Sequence, residues 1–310
     1  LRGTITGPSD VDVYAFKSLA AGDRLIIDVG SSGGELDAAV AVYDEAGRIL
    51  FENDDRNLSP PQLDPFLNQV LRRESRVYYL AVYRSPLSNE RRHGPYEVLI
   101  STVLGGEVPA GQGQRVVLNF EGGTIALAHE TYTVGRFDAG AISPAYAGTT
   151  AAVRDGVAAT VRENYEGLSL DVRVLPGDAR PTGVSYSTVL FGGVSRDSYG
   201  EAQTIDTYNA NPSDEAIVFT GMFTPARFGR VLTVAELGTA IGNVASHELG
   251  HLLGLNHVAD VRDVMDTTGS SVTLLEDVAF LDSPLDWTIA PLGTQDSFLL
   301  LLETLGAWGE

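Results

Sequence analysis

The chain has 310 residues, of which 44% are hydrophobic, and it contains no cysteine. This length predicts one large domain or two ordinary ones, and the apolar content is sufficient for a hydrophobic core. The absence of cysteine excludes disulfides, thiolate metal sites and a cysteine nucleophile. The formal net charge is −20, and because so acidic a chain repels phosphate, we expect no nucleic-acid partner.

Most of the excess negative charge falls after residue 110, where 25 acidic side chains accompany 10 basic ones. The ordinary explanation of this charge is a solubilising surface, and the functional explanations are bound cations or a preference for basic substrates. The apolar run 298–302 is far shorter than the roughly 20 residues that a membrane-spanning helix needs, so no membrane span is predicted. The sequence gives no prediction for the oligomeric state.

The first hundred residues alternate apolar and polar side chains in short runs that are separated by turn-forming residues. Such runs predict β-strands, and many short strands with few helical stretches predict a β-sandwich or jelly roll. The predicted strands cover residues 11–16, 25–29, 39–43, 48–51, 77–83 and 96–101.

A glycine-rich segment separates this region from the rest of the chain. Residues 105–113 include four glycines and one proline, a composition that predicts a linker. We therefore expect a β-sandwich domain over residues 1–104, the linker over 105–113 and a second domain over 114–310.

The second domain mixes strands and helices, which predicts an α/β fold. Its long helix is expected over 234–253, where Thr233 can be the N-cap and Glu236 can complete a capping box. The other predicted strands are 115–120, 168–175, 183–191 and 216–219, and the other predicted helices are 149–165 and 294–305.

Three of the five histidines lie between His247 and His257. On an α-helix, His247 and His251 are one turn apart and about 40° apart around the axis, so both imidazoles can face one ion. Glu248 lies beside them, near enough to reach a water on that ion without binding the ion itself. A continuous helix would carry His257 about 9 Å further on, so the chain must turn back, and Gly254 permits the left-handed conformation that this turn requires.

Three neutral imidazoles leave one ligand position of Zn²⁺ open, which is typical of a catalytic zinc site. Zn²⁺ lowers the pKa of a bound water from about 15.7 toward roughly 7. Glu248 can take the proton of this water and pass it to a leaving amine. The pattern therefore predicts amide hydrolysis with Zn²⁺ as cofactor, in a protein or peptide substrate or in a non-protein amide.

The run from His247 to His257, with Leu252-Leu253-Gly254-Leu255 before the last histidine, resembles the zinc-binding signature of the metzincin metallopeptidases, and especially its matrixin and pappalysin-like branches. The run Arg262-Asp263-Val264-Met265-Asp266 resembles the Met-turn of the same enzymes. The resemblance implies these roles: His247, His251 and His257 as zinc ligands, Glu248 as general base, and Met265 beneath the metal.

The first hundred residues resemble the bacterial pre-peptidase C-terminal domain, a small β-domain of secreted peptidases. In that family the module often follows the peptidase, whereas here it precedes it. The two resemblances imply a secreted zinc endopeptidase with its catalytic domain over 114–310. The second resemblance rests on Gly3-Thr4-Ile5, Asp10–Phe16, Ala21-Gly22-Asp23, Asn53-Asp54-Asp55 and Tyr78–Val82.

An extended substrate is expected to pair with a sheet edge, because main-chain pairing accepts many sequences. In metzincins the edge strand lies shortly before the active-site helix, and the segment after the Met-turn, here 267–272, lines the pocket beyond the cleaved bond. The resemblance therefore implies an edge strand formed by Gly200, Glu201, Ala202, Gln203, Thr204, Ile205 and Asp206.

Calcium is a second candidate cofactor, because carboxylate and amide side chains cluster just after this stretch. Ca²⁺ takes six to eight oxygen ligands. Asp and Asn also favour turns, so a purely structural role stays open. The candidate calcium ligands are Asp206, Asn209, Asn211 and Asp214.

Two other functions remain open at this point. A peptidase fold that binds metal without cleaving would be an adhesion or binding protein, although the intact Glu248 argues against decay of the site. Hydrolysis of a non-protein amide, such as a cell-wall peptide, uses the same residues and is not distinguished by the sequence.

Overall fold

A computed structural model describes residues 1–31, 36–58, 61–86 and 93–309. The chain divides into two compact units, and each unit includes a short segment from the C-terminal part of the chain. The first unit comprises Leu1–Ala110 and Ser283–Asp296, and the second comprises Gly111–Asp282 and Ser297–Glu310. No helix within the described ranges is both long enough and apolar enough to cross a membrane.

The first unit is rich in β-strands, as its alternating sequence predicts. Two four-stranded antiparallel sheets have the strand orders β1-β10-β3-β8 and β2-β9-β4-β5. Every residue of β4 is buried, so this strand lies in the core. The strands are β1 (Arg2–Ile5), β2 (Val11–Leu19), β3 (Arg24–Ser31), β4 (Ala38–Tyr43), β5 (Ile49–Asn53), β6 (Asn57–Leu58), β7 (Pro61–Gln62), β8 (Phe66–Val70), β9 (Ser75–Arg84) and β10 (Gly94–Val103).

The second unit is built on a five-stranded sheet with the order β14-β11-β15-β17-β16. Four strands are parallel, and β16 pairs antiparallel with β17 at the edge. Each of the three central strands contains three consecutive buried apolar residues, as expected for a sheet that is covered on both faces: Val116–Leu118, Val189–Phe191 and Ala216–Val218. The strands of this unit are β11 (Gln114–Asn119), β12 (Gly123–Ala126), β13 (Thr131–Val134), β14 (Leu170–Leu175), β15 (Ser187–Phe191), β16 (Gly200–Ala202) and β17 (Glu215–Val218).

Two long helices of the second unit pack against each other. The predicted cap of α4 is confirmed, because Thr233 accepts a hydrogen bond from the Glu236 amide and Glu236 accepts one from the Thr233 amide. The α-helices are α1 (Ala139–Ile142), α2 (Thr150–Asn164), α3 (Pro225–Phe228) and α4 (Val234–Leu252), and the 3-10 helices are Pro144–Tyr146, Thr220–Met222 and Thr273–Leu275.

The segment Ser283–Asp296 is not part of the unit that the sequence predicted for it. It belongs to the first unit, whereas the predicted second domain ran without interruption from 114 to 310. The physical reason is a set of contacts with the first unit: the Thr294 amide donates to the Gly47 carbonyl, and Arg48 forms an ion pair with Asp296.

The predicted last helix also begins later than expected. Residues 294–296 form a strand, β19 (Thr294–Asp296), which pairs with β18 (Asp282–Pro284). Helix α5 therefore starts only at the next residue and covers Ser297–Leu305. Because the 294–296 backbone bonds to neighbouring strands, it cannot form the first turn of the helix.

Glycines bring α2 and α4 unusually close together. A Cβ atom built on Gly238 would lie 3.0 Å from the Cα of Gly156, and one built on Gly242 would lie 2.6 Å from the Cβ of Thr160. Since the neighbouring atoms belong to backbone or to stiff β-branched side chains, they have little room to move. Gly238 and Gly242 are one helical turn apart on α4, and together they let this helix, which carries His247 and His251, pack closely against α2.

We predict that Gly242→Ala destabilises the protein by about 1–3 kcal/mol, because the added methyl overpacks the α2–α4 contact. Helix propensity alone predicts the opposite, since alanine is favoured over glycine by about 1 kcal/mol inside a helix. Denaturant unfolding monitored by circular dichroism measures the difference. An increase in stability would show that the two helices can separate at no cost.

Candidate metal and catalytic site

Helix α4 carries the first two histidines on one face, one turn apart. The helix ends at Leu252, and Gly254 has a φ of 95°, which is the left-handed conformation that the spacing predicted. A Cβ at Gly254 would also lie 3.0 Å from the Asp206 carbonyl oxygen. Both the backbone conformation and the lack of space therefore require glycine here, and the turn returns His257 to the side chain of His251.

The three imidazoles converge on one point through their Nε2 atoms. The Nε2 of His251 lies 3.2 Å from that of His247 and 2.9 Å from that of His257. The three candidate ligand atoms all lie within 4.8 Å of one another. Within the described parts of the chain, this is the one group of three His, Cys, Asp or Glu side chains that meets so closely.

The opposite ring nitrogens are held by backbone carbonyl oxygens. His247 Nδ1 lies 2.8 Å from the Val264 oxygen, and His251 Nδ1 lies 2.8 Å from the Leu255 oxygen. Because a carbonyl oxygen can only accept, each Nδ1 carries the proton and each Nε2 presents its lone pair to the centre. This is the tautomer that a metal-binding histidine needs.

Burial favours the neutral form of His247 and His251. It lowers the pKa of His247, and it lowers the pKa of His251 well below the ordinary value, with the neighbouring His257 and His247 adding to the effect. Converging neutral lone pairs repel one another unless a cation lies between them. Tetrahedral Zn²⁺ with Zn–N bonds of about 2.0–2.1 Å places its ligand atoms a little over 3 Å apart, so the three residues fit zinc.

Met265 lies beneath the helix, and Asp263 holds the turn that carries it. Met265 is fully buried, and a Cβ on Gly250 would lie 2.5 Å from its sulfur, so the thioether packs directly against α4. Asp263 accepts hydrogen bonds from the amides of Met265 and Leu281. Met265 was predicted from the sequence, whereas the buried Asp263 was not, because its only signal was its position in the Met-turn.

Glu248 is 5% exposed and lies against the edge strand. A Cβ built on Gly200 would lie 2.5 Å from its Oε1, so the carboxyl group rests directly on the backbone of β16. Burial raises the pKa of Glu248 to about 8, the negative charge of Glu201 adds to the rise, and a backbone hydrogen bond from Ala202 opposes it.

The predicted edge segment is a strand over only part of its length. Gly200, Glu201 and Ala202 form β16, whereas residues 203–206 lie in the connection to β17. Gln203 bonds to the Ala126 carbonyl and to the Glu215 amide. Further along this connection, after Thr204 and Ile205, the Asp206 amide donates a hydrogen bond to the carbonyl of His251. The segment is therefore tied to the end of α4.

The candidate calcium residues lie in the same connection. Asp206 Oδ2 accepts a hydrogen bond from the Asn211 amide at 2.7 Å, and Asn209 has a positive φ of 53°. Asp214 is 1% exposed; its Oδ1 accepts from Ser187, and its Oδ2 has no hydrogen-bond partner among the described residues. Burial raises the pKa of Asp214 to about 7. Calcium here stays a prediction.

Residues 274–276, which follow the segment 267–272, are held against α4 by Asn243, a residue that was not predicted from the sequence. The Asn243 side-chain amide donates to the carbonyls of Leu274 and Glu276, each at 3.1 Å, and its oxygen accepts from Asn164. Asn243 precedes His247 by one helical turn, so these residues are fixed beside the histidines. An apolar residue would be the ordinary choice at so buried a helix position, and that departure was the available signal.

A helix with two of three converging imidazoles and a glutamate between them is the kind of site that zinc metallopeptidases use. The matrixin family model matches residues 112–277, which is more than half of the chain. The chain therefore belongs to the matrixin family. It is a zinc metallopeptidase of the metzincin type, as the histidine signature predicted.

Comparison with curated proteins found no match. Among solved structures, the chain is similar to an archaemetzincin from Methanopyrus kandleri, with 18% identity, 63% of this chain and 98% of that chain covered, and a TM-score of 0.33. It is also similar to a zinc-dependent peptidase from Methanocorpusculum labreanum, with 13% identity, 52% and 92% covered, and a TM-score of 0.31. A periplasmic lysozyme inhibitor from Aeromonas hydrophila matches with 21% identity, 33% and 83% covered, and a TM-score of 0.26. Scores this low carry no further conclusion.

We predict that Ca²⁺ raises the melting temperature of the protein by a few degrees at pH 8 and by much less at pH 5.5. The raised pKa of Asp214, about 7, means that its carboxyl group is protonated at pH 5.5, where protons compete with the cation. Asp214→Asn should abolish the calcium effect at both pH values. Identical melting curves with and without Ca²⁺ at pH 8 would contradict the calcium prediction.

Proposed function

We propose that this metallopeptidase is an endopeptidase in which His247, His251 and His257 hold zinc and Glu248 is the general base. The observation that supports the proposal most strongly is the convergence of the Nε2 atoms, with His251 Nε2 2.9–3.2 Å from the other two, beside a buried carboxyl group. Zinc, when bound to three imidazoles, supplies an activated water and polarises the carbonyl of the substrate.

Glu248 has the properties that a general base in this position needs. It directly follows the candidate ligand His247 on α4, and its carboxyl group lies against the backbone of the edge strand β16. Burial raises the pKa of this carboxyl group above its ordinary value, which strengthens its affinity for the proton of a bound water. One carboxylate oxygen would take a proton from water, hold it while the new C–O bond forms, and then give it to the leaving nitrogen.

The open edge of β16 is the proposed binding surface for the substrate main chain. β16 ends the five-stranded sheet and packs near α4, so an extended peptide paired with it would pass the histidines. The segment 267–272, held by the hydrogen bond from the Ser271 hydroxyl to the Arg227 carbonyl, would line the pocket for the side chain beyond the cleaved bond. A cleft that is open along a strand suits cleavage within a chain.

Secretion, the pre-peptidase C-terminal-like character of the first unit and its jelly-roll arrangement are further proposals. They are supported by the sequence resemblances and by the β-rich structure of residues 1–110. The first unit would serve as an accessory module of the exported enzyme.

The test of the catalytic role is Glu248→Gln, which keeps the shape of the side chain but cannot take the proton. We expect zinc content and fold to be unchanged and cleavage of unfolded casein to fall by about 10² or more. Glu163→Gln, which removes an exposed carboxylate on α2, is the matched control and should cleave normally.

Normal cleavage by the zinc-loaded Glu248→Gln protein would refute the general-base role. If the wild-type protein binds zinc but cleaves no casein, the non-cleaving binding protein or the hydrolase of a non-protein amide becomes the better explanation.

A further inference from the structure

The hydrogen bonds of β16 show which of its residues face the open edge. The Gln203 amide donates to Glu215 at 3.0 Å, and the Tyr199 carbonyl accepts from Phe219 at 2.8 Å. In an antiparallel pair, successive residues direct their N–H and C=O groups to opposite sides. The backbone groups of Gly200 therefore point away from β17, toward the position of an added strand. Those of Ala202 point the same way, and its N–H also bonds to the Glu248 carboxyl group.

Gly200 also lies directly against the carboxyl group of Glu248. A Cβ atom at Gly200 would lie 2.5 Å from Oε1, 2.6 Å from Cγ and 2.8 Å from Cδ of Glu248. Real Cβ atoms essentially never approach other atoms so closely. The carboxyl group thus occupies the volume that any side chain at position 200 would fill.

Space, and not backbone conformation, is what requires glycine here. Gly200 is absent from the glycines with positive φ, and it lies within a regular strand whose φ any residue can adopt. The backbone on the other side is fixed, because α4 is capped at Thr233 and packed against α2 through its glycines. Of the two partners in this contact, the Glu248 side chain is the one that can move.

We propose that Gly200 is a positioning residue: its missing side chain makes the space that holds the Glu248 carboxyl group beside the main chain of a substrate paired with β16. The proposal rests on the proposed role of Glu248 as general base. A single glycine would thus link two requirements, since its N–H and C=O groups face the substrate strand and its bare Cα faces the base.

The proposal predicts a selective defect. A methyl at position 200 would push the flexible end of Glu248 aside while the strand stays in place, so the protein should still fold and bind zinc. A displacement of about 1 Å at a reacting group can cost about 10²-fold in rate. The loss should appear in kcat, because the open edge that binds the substrate main chain is unchanged.

The test is a double-mutant cycle of Gly200→Ala and Glu248→Asp, with kcat and KM measured on a peptide that the wild-type protein cleaves. We expect Gly200→Ala alone to lower kcat by 10- to 100-fold with little change in KM, zinc content or melting temperature. Glu248→Asp withdraws the carboxyl group by one methylene, so in this background Gly200→Ala should cost less than threefold. Gly135→Ala, a glycine with nothing within 4 Å of its Cβ position, is the control.

Each other outcome counts against the proposal. Wild-type kcat in Gly200→Ala, or an equal loss in both backgrounds, would show that the contact does not position the base. A Gly200→Ala protein that fails to fold or to bind zinc would show that the strand yields, and not the carboxyl group. If Glu248→Gln retains activity, the proposed function itself has failed, which is a separate result.

Discussion

The structure depends on the mutual approach of three neutral imidazoles, which is unfavourable without a cation. Two of the rings are fixed through Nδ1 by the carbonyls of Val264 and Leu255, so their lone pairs have no freedom to turn away. One carbonyl belongs to the Met-turn and the other to the turn after α4. The backbone around the site is therefore arranged to present three Nε2 atoms to one ion.

Glycine makes this arrangement possible at several points where two elements must touch. Gly238 and Gly242 let α4 lie close to α2, Gly250 admits the sulfur of Met265, and Gly254 permits the reversal that returns His257. Gly200 has the corresponding place on the edge strand, where Glu248 lies. At each of these points, the absence of a side chain lets two parts of the structure come into contact.

The ends of helix α4 could be predicted from residues that are close together in the sequence. The capping box at Thr233 and the left-handed turn at Gly254 follow from residue chemistry within a few positions, and both are present. Contacts between residues far apart in the sequence could not be predicted, because they leave no local pattern. Examples are the contacts that place 283–296 in the first unit and the hydrogen bonds of Asn243 to Leu274 and Glu276. The strand at 294–296 also replaced a predicted helical turn, because tertiary pairing overrode local propensity.

A zinc titration of the metal-stripped protein, with bound metal and casein cleavage measured on the same samples, tests whether the three histidines hold a catalytic zinc ion. We expect the stripped protein to be inactive and the activity to rise in proportion to bound zinc until one ion is bound per chain. His251→Ala should remove both tight binding and activity. Full cleavage by the stripped protein, or tight zinc binding that persists in His251→Ala, would contradict the account.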